Sequence, residues 1–178
     1  MAEEAALLEI IRQLPFEFAQ YREWTARRRI VSYGGRYDFS RRVLEPAQSL
    51  PEFLIPLRSR AAAWAGLAAE AFTHATIAEY APNAQLGWHR DVPDFEAVIG
   101  ISLRGWARMR FRPYPPAAQR RSTFSVELAP RSVYLLRGAV RWSWQHAISP
   151  TRELRYSLTF RSRRPGSSGR RPGVASSS

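Results

Sequence analysis

Residues 142–161 read WSWQHAISPTRELRYSLTFR and contain two short β-like runs, WSWQHAI and LRYSLTFR, separated by turn-forming residues. In LRYSLTFR, apolar and polar side chains alternate, which is typical of a strand that buries one face. From about residue 74, five similar runs precede them: ATIAEY, AVIGISL, ARMRFR, TFSVEL and SVYLL. Seven short strands within about ninety residues predict a sandwich or barrel and not an array of βαβ units.

The N-terminal half carries two helical patterns. Residues 3–13 place apolar side chains near helical spacing and end before a proline, and the Ala-rich residues 58–70 follow another proline. Residues 30–33 favour a strand that turns at Gly34 and Gly35. The predicted fold class is mainly β (α+β), with the N-terminal helices packed on the β structure.

The composition favours one folded domain. A chain of 178 residues with 45% hydrophobic content can bury a stable core. We assign residues 1–162 to this domain, with the β core at about 74–162. Residues 163–178 combine Pro, Gly and Ser with four Arg and have little to bury, so we expect a disordered basic tail.

Missing residue types exclude several chemistries. The chain has no Cys, which rules out thiol nucleophiles, disulfide frameworks and thiolate zinc sites. All 27 basic residues are Arg, so the lysines of Schiff-base enzymes, P-loop proteins and kinases are absent. The sequence has no apolar run long enough for a membrane span, and its acidic start is unlike a signal peptide. The cytoplasm is therefore the expected compartment.

The chain is strongly basic, with a net charge of +12 and an isoelectric point near 11.3. Such a charge favours a polyanionic partner, and nucleic acid is the usual one. Abundant Ala and Arg without Lys are also what GC-rich coding produces. The charge is consequently a supporting argument and not a decisive one.

Two of the three histidines lie in β-like segments and suggest a metal site. His89 and Asp91 are two residues apart, a spacing that puts both side chains on one face of an extended strand. A barrel could bring His146 opposite them. Two His and one carboxylate form the facial triad of non-haem iron oxygenases. A hydrogen-bonded surface pair of His and Asp, or a zinc site, are the alternatives.

The last strand carries two arginines on its polar face. In LRYSLTFR, alternation groups the side chains of Arg155, Ser157, Thr159 and Arg161 on one face. Arg grips carboxylates in bidentate fashion, and two guanidiniums about 7–8 Å apart would fit a five-carbon diacid. Solvent exposure of this face is the simpler interpretation of the strand taken alone. A metal triad together with a diacid clamp is a more specific combination.

Three segments together, TIAEYAPNAQLGWHRD, SVYLLRGAVRWSWQHAIS and LRYSLTFR, resemble the AlkB family of 2-oxoglutarate oxygenases. The resemblance extends over about residues 27–162, and it implies a double-stranded β-helix (jelly-roll) fold. It implies Fe(II), 2-oxoglutarate and O2 as cofactors, with iron held by His89, Asp91 and His146. It also implies contacts to 2-oxoglutarate from the remaining family positions: Tyr80, Arg155, Ser157 and Arg161.

Two positions depart from the family pattern. Ala78 and Ser157 stand where relatives commonly have Asn residues that contact the cosubstrate. Each lost hydrogen bond costs about 0.5–1.5 kcal/mol, against about 1.5–3 kcal/mol for each charged contact that remains. We expect weaker binding of 2-oxoglutarate and not its loss.

The resemblance implies oxidative demethylation of alkylated nucleic-acid bases, with release of formaldehyde, succinate and CO2. Such enzymes need aromatic surfaces for a flipped base and basic residues for the backbone. Residues 21–42 interleave both types and are the candidate nucleotide-recognition segment. Its candidate residues are Arg28, Tyr33, Arg36 and Tyr37. Ordinary strand packing with Arg on the wet face is the alternative for each of them.

Three functional hypotheses follow. The first is a demethylase acting on alkylated bases in nucleic acid, either single-stranded or with the base flipped out. The second is an oxygenase of the same fold with a protein or small-molecule substrate. The third is a non-catalytic nucleic-acid-binding barrel, which Ala78 and Ser157 keep open. We expect a monomer that does not associate with membranes.

Overall fold

The computed structural model describes residues 2–21, 24–38, 43–45, 48–115 and 123–166. Its helices are α1 (Ala2–Arg12), α2 (Ile55–Ala65) and α3 (Ala139–Trp142), with short 3-10 helices at Glu52–Leu54 and Ala69–Ala71. Its strands are β1 (Glu17–Tyr21), β2 (Trp24–Tyr33), β3 (Arg36–Asp38), β4 (Val43–Glu45), β5 (Phe72–Tyr80), β6 (Leu86–His89), β7 (Phe95–Leu103), β8 (Ala107–Pro113), β9 (Phe124–Leu128), β10 (Val133–Leu136), β11 (Trp144–Ile148) and β12 (Arg155–Arg163).

The strands form two antiparallel sheets that face each other. The major sheet has the order β1-β2-β5-β12-β7-β10, and the minor sheet has the order β6-β11-β8-β9. Strands β3 and β4 pair separately. The fold is mainly β and has the jelly-roll arrangement, as predicted. Each of the seven β-like runs forms one of the strands β5, β7, β8, β9, β10, β11 and β12.

A first hydrophobic core lies between the helices and the major sheet. Leu8 and Ile11 of α1 and Ala62 of α2 are buried here, because the strand alternation points apolar side chains toward the helices. The sheet contributes fully buried residues to the same core: Phe72, Ile77, Ile99, Leu158 and Phe160. The predicted packing of N-terminal helices on the β structure is therefore present.

A second hydrophobic core lies between the two sheets. The major sheet contributes Val98 and Leu136, and the minor sheet contributes Met109, Leu128 and Ile148. The candidate site borders this core, since the ring centroids of Phe111 and His146 are 6.2 Å apart.

Two helix and strand boundaries differ from the sequence expectation. The second helix, predicted over 58–70, spans Ile55–Ala65, because Gly66 adopts a left-handed conformation (φ 66°) that ends it. Strand β6 is not one of the seven predicted runs, since it has four residues and one of them is glycine, although His89 was predicted to lie in an extended segment. It nonetheless carries His89.

Parts of two predicted segments lie outside the described residues. The candidate recognition segment 21–42 includes β2 and β3, but residues 22–23 and 39–42 are not described. Strand β12 continues to Arg163, one residue beyond the predicted end of the domain. Residues 167–178 of the predicted tail are also outside the described part of the chain.

Gly100 and Tyr134 are directly opposite each other on β7 and β10. The Tyr134 ring lies across Gly100, so a Cβ atom built on Gly100 would be 2.0 Å from Cζ of Tyr134. The glycine thus gives the tyrosine room to reach over the middle of the major sheet. Among the described residues, none of the helices combines the length and apolar character that crossing a bilayer requires.

Candidate functional site

One transverse row of side chains crosses the inner face of the minor sheet. His89 pairs with His146, His146 pairs with Phe111, and Phe111 pairs with Phe124. Directly paired residues point to the same face of a sheet. The register therefore puts two histidines and two phenylalanines side by side, facing the major sheet.

His89, Asp91 and His146 form a compact cluster. Their ligand atoms all lie within 4.8 Å of one another. The two imidazole centroids are 4.2 Å apart, and Nε2 of His146 is 3.7 Å from Oδ2 of Asp91. Small side-chain rotations would let one divalent ion contact all three. The three residues that the sequence selected are thus brought together.

The backbone selects the tautomer of His89. Its Nδ1 lies 2.9 Å from the carbonyl oxygen of Gly87. A carbonyl oxygen accepts hydrogen bonds, so Nδ1 carries the proton and Nε2 keeps a lone pair. His89 is therefore prepared to bind a cation through Nε2.

Burial and neighbouring charges set the ionisation of the cluster. Burial lowers the pKa of His146 to about 3, and it also lowers the pKa of His89. Burial alone would raise the pKa of Asp91, but the guanidinium of Arg161 and the two histidines hold it well below its ordinary value. At neutral pH, two neutral imidazoles and a carboxylate result, which is the ligand state that metal binding requires.

Arg161 is bound to the metal-site carboxylate. Its Nε donates to Oδ1 of Asp91 over 2.7 Å. Its Nη1 donates to the hydroxyls of Thr76 and Thr159 over 3.0 and 2.9 Å. These contacts fix the carboxylate from the side of the major sheet and hold Arg161 beside the triad.

Arg155 is fully buried and has unsatisfied donors. Its Nε donates to the Ser102 hydroxyl over 2.9 Å, and its Cζ lies 5.2 Å from the Tyr80 ring centroid. Within the part of the chain that the structure describes, neither of its two buried terminal nitrogens has a hydrogen-bond partner. A buried guanidinium with free paired donors is costly unless an anion binds it. This arrangement fits the carboxylate of a dicarboxylic cosubstrate.

Small side chains leave room next to Arg155. Ala78, Ser157 and Ser102 are directly paired across β5, β12 and β7. Both Ala78 and Ser157 are smaller than the Asn that the resemblance leads us to expect at these positions.

Tyr134 was not selected from the sequence, although it belongs to this site. It lies close enough to Arg155 for their charges to interact, and burial raises its pKa to about 12. Its hydroxyl therefore remains protonated and can donate a hydrogen bond. The sequence offered one signal for Tyr134: it is the residue with a polar group in the otherwise apolar run VYLL.

Arg141 was also not selected and connects the elements that carry the ligands. It is 3% exposed and lies on α3, just before β11 and His146. Its Nη2 donates to the carbonyl oxygens of Val92 and Phe95 over 2.6 and 2.7 Å. Val92 lies in the loop that follows Asp91, and Phe95 is the first residue of β7. Arg141 therefore holds the Asp91 loop against the segment that leads to His146.

The four candidate substrate residues have different surroundings. Arg28 is partly buried and near enough to His89 to lower its pKa. Tyr33 is 6% exposed and belongs to the first core, on the face of β2 away from the triad, so packing accounts for it. Arg36 and Tyr37 belong to β3, and their side chains are outside the described part of the structure.

An aromatic row leads from the triad to the edge of the minor sheet. The Phe111 and Phe124 rings are stacked at 4.6 Å, and Trp144 meets Phe124 edge-on at 5.3 Å. Phe111 is buried, but Phe124 is 45% exposed. An exposed aromatic ring is a surface on which a planar ligand can stack. Phe124 was not selected, because the register that places it in the same row as His146 is not readable from the sequence.

Two facing antiparallel sheets, a His-Asp-His cluster between them and a buried guanidinium with free donors define a jelly-roll non-haem iron oxygenase. The family model of the 2OG-Fe(II) oxygenase superfamily matches residues 11–164 of the chain. The chain belongs to this superfamily. It is an AlkB-like 2-oxoglutarate-dependent dioxygenase with Fe(II), 2-oxoglutarate and O2 as its cofactors.

Two curated relatives match parts of the chain. The alkylated DNA repair protein ALKBH8 homolog of Arabidopsis thaliana is 29% identical over 71% of this chain and 44% of its own length. The uncharacterized protein L905 of Acanthamoeba polyphaga mimivirus is 31% identical over 48% of this chain and 45% of its own. The chain thus spans less than half the length of these relatives.

A solved structure shares the fold. OsALKBH1 superimposes with a TM-score of 0.70 at 16% identity, and the match covers 91% of this chain and 92% of the other. Agreement over nearly the whole of both chains confirms the predicted AlkB-like jelly roll.

Proposed function

We propose that this protein removes methyl groups oxidatively from alkylated nucleic-acid bases. The observation that carries the proposal is the exposed Phe124 ring in the same transverse row as His89 and His146. A planar base stacked on Phe124 and Trp144 would be held in line with the triad, at the outer end of the row that runs through Phe111 to His146. Base–aromatic stacking contributes about 1–3 kcal/mol per base and tolerates different bases.

His89, Asp91 and His146 would hold the iron. Neutral imidazoles and an ionised carboxylate at neutral pH favour this role, as does the proton on Nδ1 of His89. Arg161 would keep Asp91 oriented through the 2.7 Å hydrogen bond. Because the carboxylate is already held in place, little side-chain entropy is lost when a cation binds.

Arg155 would bind the distal carboxylate of 2-oxoglutarate with its two free terminal nitrogens. Tyr80 packs against the guanidinium, and Ser157 and Tyr134 would contact the chain of the cosubstrate. Arg161, beside Asp91, would lie near the proximal carboxylate. When bound, the cofactors supply the oxidising equivalents that hydroxylate an N-methyl group and release succinate and CO2, and the hydroxymethyl base then loses formaldehyde.

The positively charged side chains around the site favour a nucleic-acid substrate. Arg28, on β2, is partly buried and interacts electrostatically with the site through His89. Arg36 and Tyr37 remain candidates for the recognition segment. Cytoplasmic location and a monomeric state complete the proposal, and sedimentation of the purified chain measures the latter.

The experiment is mass spectrometry of a panel of single-stranded oligonucleotides, each with one methylated base, after aerobic incubation with Fe(II) and 2-oxoglutarate. We expect loss of the methyl group with equal amounts of succinate and formaldehyde, and no loss with Asp91→Ala. Succinate formation without demethylation of any lesion would favour a protein or small-molecule substrate. No succinate under any condition would favour the non-catalytic barrel.

A further inference from the structure

The outer face of the minor sheet carries a row of arginines. Along β8, Met109 and Phe111 point into the second core, so Arg108, Arg110 and Arg112 point outward. Arg108 and Arg110 are exposed, and Arg112 is partly buried. Alternate residues of a strand are about 6.6–6.8 Å apart, so the Cα atoms of the three arginines are regularly spaced along β8.

Trp88 of β6 reaches over this face. The guanidinium carbons of Arg110 and Arg112 lie 5.0 and 4.5 Å from the Trp88 ring centroid. Strand β11 lies between β6 and β8. Its Ala147 is paired with Arg110 and points outward, yet it is 1% exposed. The small Ala147 therefore lies beneath larger side chains, and the tryptophan can reach across β11 to β8.

These contacts hold the guanidiniums in place without neutralising them. Arg112 donates from Nε to the neutral Gln145 over 2.8 Å, and Arg108 pairs with Glu127. Within the described ranges, no carboxylate forms an ion pair with Arg110 or Arg112. Two fixed, unneutralised arginines bind an anion with less loss of side-chain entropy than mobile ones would.

The outer face continues to the mouth of the site. A depression of about 290 Å³ is lined by Trp88, Arg108, Arg110 and the exposed Phe124. Phe124 is also the outermost ring of the aromatic row. On β6, Trp88 directly precedes His89. Beyond it, the exposed Arg90 stacks on Tyr114 with its guanidinium carbon 3.9 Å from the ring centroid.

We propose that this outer face, formed by Trp88, Arg108, Arg110 and Arg112, binds the single-stranded nucleic acid that flanks the reacting nucleotide. The inference rests on the proposed function and names the path of the substrate strand. Regularly spaced arginines bind successive phosphates. Contact with the Trp88 ring keeps the side chains of Arg110 and Arg112 extended. The depression at Phe124 connects this path to the place where the base would stack.

The test measures binding of an unmethylated, fluorescein-labelled 12-mer of thymidylate by anisotropy over a series of NaCl concentrations. The full chain is used with Fe(II) and 2-oxoglutarate under argon. Each phosphate contact contributes about 0.7 to the slope of log affinity against log salt for single strands. We expect Arg110→Gln/Arg112→Gln to lower the slope by about 1.4 and to weaken binding about tenfold.

The matched control is Arg60→Gln/Arg131→Gln. Arg60 and Arg131 are exposed, pair with acidic residues of α1, and lie on the helix side of the molecule. The control removes the same charge, so an equal change in slope would overturn the proposal. Because Arg112 is partly buried, Arg110→Gln is measured separately, and we expect a slope change of about 0.7 with unchanged thermal unfolding.

Two further outcomes are decisive. If poly-glutamate at equal charge concentration displaces the oligonucleotide as well as unlabelled thymidylate does, the face binds acidic polymers in general and the proposal is overturned. If the salt slope changes as expected while no methylated oligonucleotide is demethylated, nucleic-acid binding by the outer face is supported and the proposed demethylase function is contradicted. The two inferences are thereby separable.

Discussion

Nε of Arg161 donates a hydrogen bond to Oδ1 of Asp91 over 2.7 Å, which joins the last strand of the major sheet to the carboxylate of the metal cluster. Strand β12 thus carries both guanidiniums of the proposed cosubstrate site, and through Arg161 it also restrains Asp91, in the loop after β6. Substitution of Arg161 should therefore weaken cation binding directly, through the loss of the hydrogen bond to Asp91.

We expect Arg161→Gln to weaken divalent-cation binding about 10- to 100-fold, the usual effect of losing a group that orients a metal ligand. Without the guanidinium, the pKa of Asp91 rises toward its ordinary value and the carboxylate is free to rotate. Titration calorimetry with Mn(II), which is stable to air, measures the change. Arg152→Gln, an exposed control, should bind normally. Equal affinities for both variants would contradict the role of Arg161.

Arg155→Met should leave the ligand-free protein as stable as the original or more stable, because it removes a buried, incompletely paired charge. The same variant should lose stabilisation by 2-oxoglutarate. A ligand at one hundred times its Kd stabilises the folded state by about 2.7 kcal/mol. Thermal unfolding with and without 2-oxoglutarate measures both effects. A variant that 2-oxoglutarate still stabilises fully would show that another residue binds the distal carboxylate.

Arg141→Met should reduce Mn(II) affinity although Arg141 touches none of the three ligands. It removes the hydrogen bonds to Val92, in the loop after Asp91, and to Phe95, at the start of β7, so the carboxylate loses its fixed position relative to His146. We expect a loss of about tenfold by calorimetry. Arg137→Met, an exposed position on the neighbouring turn, is the control. A fall in stability with unchanged metal affinity would limit Arg141 to a structural role.

The free energy of unfolding should fall as the pH decreases from about 6.5 to 4. Burial lowers the pKa of His74 to about 4, so over this interval the unfolded chain binds a proton that the folded chain does not. In the His74→Gln variant, the slope of the free energy of unfolding against pH should therefore be smaller by about 1.4 kcal/mol per pH unit, which corresponds to about one proton. Urea unfolding at several pH values measures the slope. An unchanged slope would mean that His74 titrates normally in the folded state.

Phe124→Ala should raise the KM for a methylated oligonucleotide about 5- to 100-fold, because it removes the exposed ring on which the base would stack. The Kd for 2-oxoglutarate, measured by fluorescence, separates this effect from damage to the cosubstrate site. Val126→Ala, at an equally exposed position of β9, is the matched control. The same KM for both variants would exclude stacking at Phe124.

The fold was largely predictable because strand alternation is strong in this sequence. In LRYSLTFR, period-two alternation separated Leu158 and Phe160, now in the first core, from Arg161, now bound to Asp91, and from Arg155, now against Ser102 and Tyr80. The short strand β6 was missed because four residues that include a glycine give little periodic signal. The second helix was predicted too long because Gly66, which ends it, follows an Ala-rich run.

The site was predictable where residue type alone indicates chemistry. His89, Asp91 and His146 are residue types that bind metals, and the structure brings them together. Tyr134, Arg141 and Phe124 were missed because their importance depends on register and on long-range hydrogen bonds. Tyr33 shows the converse, since an aromatic in a basic segment packs into the core when it is on the inner face of its strand.

The contact between Gly100 and Tyr134 limits how this lineage can diverge. Even a methyl group at position 100 would collide with the tyrosine ring, so substitution there becomes tolerable after position 134 has first acquired a smaller side chain. The order of the two replacements matters, and the pair should change in concert among descendants of this chain.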